Sequence, residues 1–502
     1  MKQILIILFH LFAIVALNAQ PALPAIFSDN MVLQQNTKVA IWGKSQPNAE
    51  VELLGSWMNE KIRTTADATG NFMFWVETKS ALPIESRHFD VRDKTGSVTF
   101  NNVVFGEVWL AGGQSNMAWQ LDQTTRGDDY IRESRNENIR FYHTPHYYFE
   151  GDRIREKGEW VEASPETMPR LSAVAYHFAK NLQKSLNVPV GVILCYKGGT
   201  PAESWMSQES LEKHGFWDAI FERYSGRVKS TYEKDYQQFL IDNRAYQNAV
   251  RRGETPATRR PSEPMGWRHP QRPVGMYEFM LKPLMPFTVK GFLWYQGEAD
   301  ATRAQQYERL FPQLIADWRS DFKIPNAPFL FVQLTGYHHP VHPEYAWGNL
   351  RYAQWKTAQT VPNTAMVVIT DIGDKKDIHP MEKQPVGYRL YLAALAKAYD
   401  QKVIFQGPEF RSKTISGNKI ILSFDHIASG LKSSDGEPLR DFEIMDANGK
   451  FRPAQAKIIG HTIEIWNDKV KQPKHVRYAW KNWVYTNLVN SEGLPAVPFK
   501  TN

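Results

Sequence analysis

Apolar and polar residues alternate with a period of two over Lys38-Val39-Ala40-Ile41-Trp42-Gly43, Glu50-Val51-Glu52-Leu53-Leu54 and Phe72-Met73-Phe74-Trp75-Val76. This is the pattern of half-buried strands. Turn-forming clusters separate them: Gln46-Pro47-Asn48, Asp67-Ala68-Thr69-Gly70-Asn71 and Asp93-Lys94-Thr95-Gly96. Short strands at this spacing predict a β-sandwich over residues 20–104. Past Phe105 the pattern changes. Leu171, Val174, Ala175, Phe178, Ala179 and Leu182 recur at helical spacing, as do Tyr307, Leu310, Phe311, Leu314, Ile315 and Trp318. Continuous apolar runs follow these helices at Val190–Leu194, Phe329–Val332 and Ala365–Ile369. Apolar strands alternating with amphipathic helices predict an α/β unit over 105–402, with a parallel sheet buried on both faces. Residues 208–275 interrupt it with charged, then Pro- and Arg-rich sequence, and read as an insertion. From 403 to 502, β patterns return, as in Lys419–Phe424 and Thr462–Trp466.

The start of the chain stands apart. Met1-Lys2 precedes an apolar run from Ile4 to Leu17, broken only by His10, and small Ala19 follows. Residues 1–19 read as a signal peptide, although Leu17 is larger than the residue such a cleavage site prefers. The expectation is export to the periplasm or beyond, with no stable membrane insertion after cleavage. At 502 residues, 42% hydrophobic and 13% aromatic, the chain is long enough for several domains and is globular in composition.

The formal charge of +7 changes this picture little. Its dense part, Arg251, Arg252, Arg259, Arg260, Arg268 and Arg272, lies in the Pro- and Gly-rich insertion and reads as a solvated surface. No nucleic-acid motif accompanies it. Cys195, the single cysteine, lies in an apolar strand and excludes both an internal disulfide and a CxxC metal site.

Candidate chemistry sits where the predicted strands end, the region in which open α/β sheets bind ligands. Val108-Trp109-Leu110-Ala111 runs into Gly112-Gly113-Gln114-Ser115-Asn116-Met117. A strand stopping at two glycines exposes a serine oxygen beside free backbone N–H groups, as a nucleophile requires. Gly198-Gly199-Thr200-Pro201-Ala202-Glu203-Ser204-Trp205 follows the Val190 strand, and Trp294-Tyr295-Gln296-Gly297-Glu298-Ala299-Asp300 follows the run Val289–Leu293. Asp377-Ile378-His379-Pro380 lies beyond the Ala365 strand. Serine together with an Asp/His pair suggests an esterase.

These four blocks, with Phe27-Ser28-Asp29-Asn30-Met31-Val32-Leu33-Gln34 and Gly493-Leu494-Pro495, resemble the sialate O-acetylesterase group of the SGNH hydrolase superfamily. The resemblance runs from about residue 22 to the C-terminus. It implies an SGNH-like parallel sheet flanked by helices, no cofactor, and an acetylated carbohydrate, most directly sialic acid, as the partner. Related sequences also deacetylate hemicelluloses such as xylan or mannan. A non-catalytic carbohydrate-binding protein is the alternative from another class.

Chemistry at the matched positions makes Ser115 the nucleophile and His379 its base. The superfamily's usual acid stands three residues before the histidine, where this chain has Lys376. Asp377, Glu298 or a backbone carbonyl near Asp377 are the candidates for the third member. The backbone N–H groups of Ser115 and Gly199 and the side-chain amide of Gln296 are the candidate oxyanion donors. Trp119 and Trp205, with Trp347, are candidate sugar-stacking platforms. His338-His339-Pro340-Val341-His342 reads as a pocket loop and not as a metal site, because Pro340 breaks the helix that would align the imidazoles.

Overall fold

The computed structural model describes residues 20–149 and 158–502; the apolar start read as a signal peptide lies outside them. Six strands open the described chain: β1 (Val32–Gln34), β2 (Lys38–Lys44), β3 (Glu50–Gly55), β4 (Ile62–Thr65), β5 (Asn71–Glu77) and β6 (Arg87–Asp93). β2 pairs antiparallel with β5, while β4, β3 and β6 form a second antiparallel ladder. Burial alternates as the sequence predicts: Phe72, Phe74 and Val76 point inward, Met73 and Trp75 outward. The inward residues of both ladders, among them Ile41, Leu53, Phe74 and Val91, meet in one apolar cluster.

β7 (Gly96–Gly113) is the longest strand and belongs to both parts of the molecule. Its first half pairs antiparallel with β6, Val104–Gly106 pairs parallel with β1, and from Glu107 onward it is the middle of the main sheet. The strand therefore runs unbroken through positions 104 and 105. The other main-sheet strands are β8 (Asn136–His143), β9 (Trp160–Ala163), β10 (Val190–Tyr196), β11 (Gly291–Tyr295), β12 (Phe329–Val332) and β13 (Thr364–Val367). Their order is β13-β12-β11-β7-β10-β8-β9. Every neighbouring pair is parallel except β8 with β9.

The helices are α1 (Ser115–Ala118), α2 (Gly127–Arg132), α3 (Ala173–Leu186), α4 (Gln208–Lys213), α5 (Trp217–Ser225), α6 (Tyr232–Arg251), α7 (Ala304–Asp321), α8 (Ala346–Thr360) and α9 (Gln384–Ala398). Successive residues of a strand point to opposite faces. Trp109 and Ala111 of β7 accordingly pack with Val174, Phe178 and Leu182 of α3 and with Leu390 of α9. Leu110 faces the other way, into the cluster holding Leu310, Leu314 and Trp318 of α7 and Leu350 of α8. Burial on both faces is why these strands read as unbroken apolar runs. Local signals set the ends of α3. The Ser172 hydroxyl accepts from the Ala175 N–H at 3.1 Å, and Asn187 closes the helix in the left-handed conformation at φ +54°.

The C-terminal part is a set of antiparallel ladders, including Lys419–Asp425 between Glu409–Ser416 and Thr462–Trp466. It has an apolar cluster of its own. It docks on α8, whose buried Arg351 donates to the carbonyls of Thr335, Ala479 and Lys481. Among the described residues no helix is long and apolar enough to cross a membrane.

Candidate active site

Register brings the motifs together. Gly113 lies between Tyr196 on β10 and Tyr295 on β11, so the loops that follow all three strands leave the sheet side by side. The Gln114 N–H donates to the Tyr295 carbonyl at 3.0 Å, and the Lys197 N–H donates to the Gly113 carbonyl at 3.0 Å. Gly113 has φ +132°, and a Cβ there would sit 2.2 Å from the Tyr295 oxygen. Only glycine allows this turn, which throws Ser115 clear of the sheet edge.

The loop after β13 returns to the same edge. The Nε2 of His379 lies 2.8 Å from the Oγ of Ser115, across 264 positions of sequence. On the other side of the ring, Nδ1 is 3.3 Å from the Oδ1 of Asp377. The same oxygen accepts the backbone N–H of His379 at 2.8 Å, which pins the loop. Burial holds the imidazole below its ordinary pKa, and the Asp377 charge opposes that shift. A neutral imidazole hydrogen-bonded to a hydroxyl is able to take its proton.

Glu298, the rival acid, is not paired with this ring. Its Oε1 accepts from the Nδ2 of Asn116, and its Oε2 has no hydrogen-bond partner among the described residues. Burial raises its pKa, against the Asn116 hydrogen bond. Among the described residues no backbone carbonyl is hydrogen-bonded to the His379 ring; its polar contacts are Ser115 and Asp377. Asn116, which the motif reading passed over, is a junction. It also donates to the Ile378 carbonyl at 3.0 Å, and its oxygen accepts from the Nζ of Lys383 at 2.6 Å. It thereby ties the nucleophile turn to the residue before His379. Burial pushes Lys383 down to about 7.

Among the expected oxyanion donors, the N–H groups of Ser115 and Gly199 make no hydrogen bond among the described residues, and both residues line one cavity. Gly199 has φ +76°. The amide of Gln296 is a correction. Its Nε2 donates to the Oδ2 of Asp300 at 2.6 Å and to the Thr200 carbonyl at 3.2 Å, and the residue is fully buried. It laces two loops together and is not presented to a ligand. Asp300 completes that lacing by accepting from the Ala202 N–H at 2.9 Å and from Arg303 at 2.6 Å.

Trp205 is a second correction. It is 0% exposed, packs edge-on against Trp294, and donates its indole N–H to the Oγ1 of Thr200 at 2.9 Å. It belongs to the core beneath the pocket. Trp347 is buried as well. Trp119 stacks on the His379 ring, with centroids 4.7 Å apart and planes 14° apart. It is not among the cavity-lining residues, so its contact is with the imidazole.

The cavity measures about 570 Å³ and opens to solvent. That is a size that suits a small ligand. Ser115, Gly199, Glu298 and His379 line it together with Gln114. The insertion supplies another wall through Arg223, Tyr224, Arg227, Gln271 and Pro273, so it is not merely a solvated surface. Arg223 is paired with buried Glu203, whereas among the described residues Arg227 hydrogen-bonds only to the Oε1 of Gln271, at 3.2 Å. His339 and His342, stacked 3.4 Å apart, also line the cavity. Among the described residues no group of three or more His, Cys, Asp or Glu side chains is arranged to hold a metal ion. Nothing in the insertion's own sequence marks Arg227 or Gln271 as site residues; only folding brings them there.

Residues 265–395 match the family model described as carbohydrate esterase, sialic acid-specific acetylesterase. The chain is 27% identical over 522 residues to the sialate O-acetylesterase of Mus musculus, an alignment covering 95% of this chain and 93% of that one. It is 25% identical over 516 residues to the human sialate O-acetylesterase, covering 94% and 91%. The crystal structure of a carbohydrate acetylesterase from Xanthomonas citri superposes with a TM-score of 0.79 at 32% identity, over 96% of this chain and 99% of that one.

Proposed function

We infer that this chain, which belongs to the sialate O-acetylesterase family, is a serine esterase that removes O-acetyl groups from sugars, with O-acetylated sialic acid as its substrate. The observation that carries this reading is the 2.8 Å contact between Ser115 and His379 at the cavity wall. The Ser115 oxygen attacks the acetyl carbonyl carbon as its proton passes to the Nε2 of His379. The tetrahedral intermediate then collapses. The bond from acetyl carbon to sugar oxygen breaks, the proton moves from His379 to that oxygen, and an acetyl-serine remains. Water attacks this ester with His379 again as base, releasing acetate and restoring Ser115. Asp377 orients the imidazole and stabilises its charged form. The backbone N–H groups of Ser115 and Gly199 donate to the oxyanion.

Arg227 supports a sugar that carries a carboxylate. It lines the cavity and has no acidic partner among the described residues. The run of parallel strands through β7 supports an SGNH-like catalytic unit over 105–402, with a β-sandwich at 20–104 before it and a β unit at 403–502 after it. Lys2 and the apolar run Ile4–Leu17 support export, to the periplasm or the exterior, by a signal peptide over 1–19.

A second reading is deacetylation of a hemicellulose such as xylan or mannan. The Xanthomonas citri protein, 32% identical to this chain, is a carbohydrate acetylesterase, the broader class to which both activities belong. Acetate release from O-acetylated N-acetylneuraminic acid and from acetylated xylan separates the two. The sialate reading expects the higher kcat/KM on the first; a preference for xylan overturns it.

A further inference from the structure

We propose that the side-chain amide of Gln114 is the third oxyanion donor, beside the N–H groups of Ser115 and Gly199. The proposal rests on the esterase reading above and deepens it.

The amide first expected in this role, that of Gln296, is consumed by Asp300 and Thr200. Turning it toward a ligand breaks both buried bonds and takes a donor from a buried carboxylate, a change that costs more than one neutral hydrogen bond contributes. Gln114 is situated differently. It immediately precedes the nucleophile and lines the same cavity as Ser115 and Gly199. Its Oε1 accepts from two backbone N–H groups, those of Gly297 at 3.4 Å and Ala299 at 3.2 Å. These two donors decide which way the amide faces. A flipped amide turns its NH₂ onto two other N–H groups, and both then lose their acceptor. With the oxygen held, the NH₂ is the free end. It has no protein partner among the described residues and is not an orphan sealed inside the core.

The loop that holds this amide is built for the purpose. Gly297 has φ +148°, and a Cβ there would lie 2.8 Å from a Leu350 methyl carbon. That conformation lets one tight turn aim the N–H groups of residues 297 and 299 at one oxygen. In the same turn Glu298 accepts from Asn116. The loop 297–299 therefore grips both neighbours of Ser115, the one before it through backbone donors and the one after it through a carboxylate. Of these two neighbours, Gln114 keeps a free donor in the cavity. A fixed dipole aimed where charge develops needs no reorganisation at the moment of reaction.

The test compares Gln114→Ala, Gln114→Glu and Gln296→Ala with the wild-type protein on p-nitrophenyl acetate and on the best acetylated sugar. A boronic acid that forms a tetrahedral adduct with Ser115 reports oxyanion affinity separately. Gln114→Glu keeps an acceptor for both loop N–H groups, and so keeps the fold, but has no NH₂ to donate. The proposal expects both Gln114 variants to lose about 10²–10³ in kcat. It expects KM to change by no more than about threefold. Boronate affinity falls with kcat, and unfolding midpoints stay near wild type for Gln114→Glu. A Gln114→Glu protein with wild-type kcat and boronate affinity overturns the proposal, because it shows that only the acceptor matters. A larger kcat loss in Gln296→Ala than in Gln114→Ala, with the unfolding midpoint unchanged, also overturns it in favour of Gln296. Wild-type protein that releases no acetate from either substrate removes the esterase reading itself, and the proposal falls with it.

Discussion

At the scale of single residues, the site depends on which carboxylate faces the imidazole. Asp377 touches the His379 ring at 3.3 Å, while Glu298 is held by Asn116 on the other side of the nucleophile turn. Asp377→Asn is therefore expected to lower kcat/KM by about 10²–10⁴-fold. Glu298→Gln, which keeps an acceptor for Asn116, is expected to cost less; the reverse order, measured with p-nitrophenyl acetate, assigns the acid to Glu298. The pH profile carries the same information. His379 must be neutral to act as base, and burial holds its pKa below the ordinary value of about 6.5. The acid limb of kcat/KM then lies below that value, with activity lost as pH falls through it. Because the Asp377 charge raises this pKa, Asp377→Asn moves the limb to still lower pH. The sequence put Asp377 first, because it shares a loop with the histidine, but left Glu298 open, since both follow strands that end at the same sheet edge. Only the path of the loop from 370 to 380 separates them.

At the scale of elements, the strands were the most legible part. Phe329–Val332 and Thr462–Trp466 have the bounds their patterns predict, because each is a short β-branched or aromatic run between polar breaks. The strand Gln455–Ile459 carries a weaker pattern, since its inward residues Ala456 and Ile458 are only half-buried. Aromatics were harder to read. An indole beside a catalytic motif has the same composition whether it meets a sugar or a core, and Trp205 took the core. Trp205→Ala is accordingly expected to destabilise the protein by about 3–5 kcal/mol in denaturant unfolding. A stability near wild type combined with a raised KM contradicts its burial and returns it to the ligand.

At the scale of the whole molecule, two of the three parts share their interior. The core of the N-terminal strands is continuous with one face of the main sheet, because β7 runs through both. The C-terminal strands keep a separate core and reach the site indirectly. They hold α8 through Arg351, and Asn482 accepts the Trp347 N–H at 3.0 Å, close to the loop of His339 and His342. The insertion reaches the cavity directly, through Arg227 and Gln271. Its contribution was illegible in the sequence because a lone arginine among exposed arginines carries no motif. Arg227→Ala is expected to raise KM for O-acetylated sialic acid by about tenfold, the loss of one exposed charge-assisted contact of about 1.4 kcal/mol. It is expected to leave p-nitrophenyl acetate hydrolysis unchanged. An equal effect on both substrates contradicts a carboxylate-reading role.

Ester cleavage depends on a serine and a histidine joined across the sheet edge, and acetate release by Ser115→Ala measures that junction most directly. With folding verified by an unchanged unfolding midpoint, the variant is expected to lose about 10⁶-fold in kcat on O-acetylated substrate, keeping only the residual rate that binding and the oxyanion donors supply. A Ser115→Ala protein that matches the wild type contradicts the account, and the ester chemistry then belongs elsewhere in the molecule.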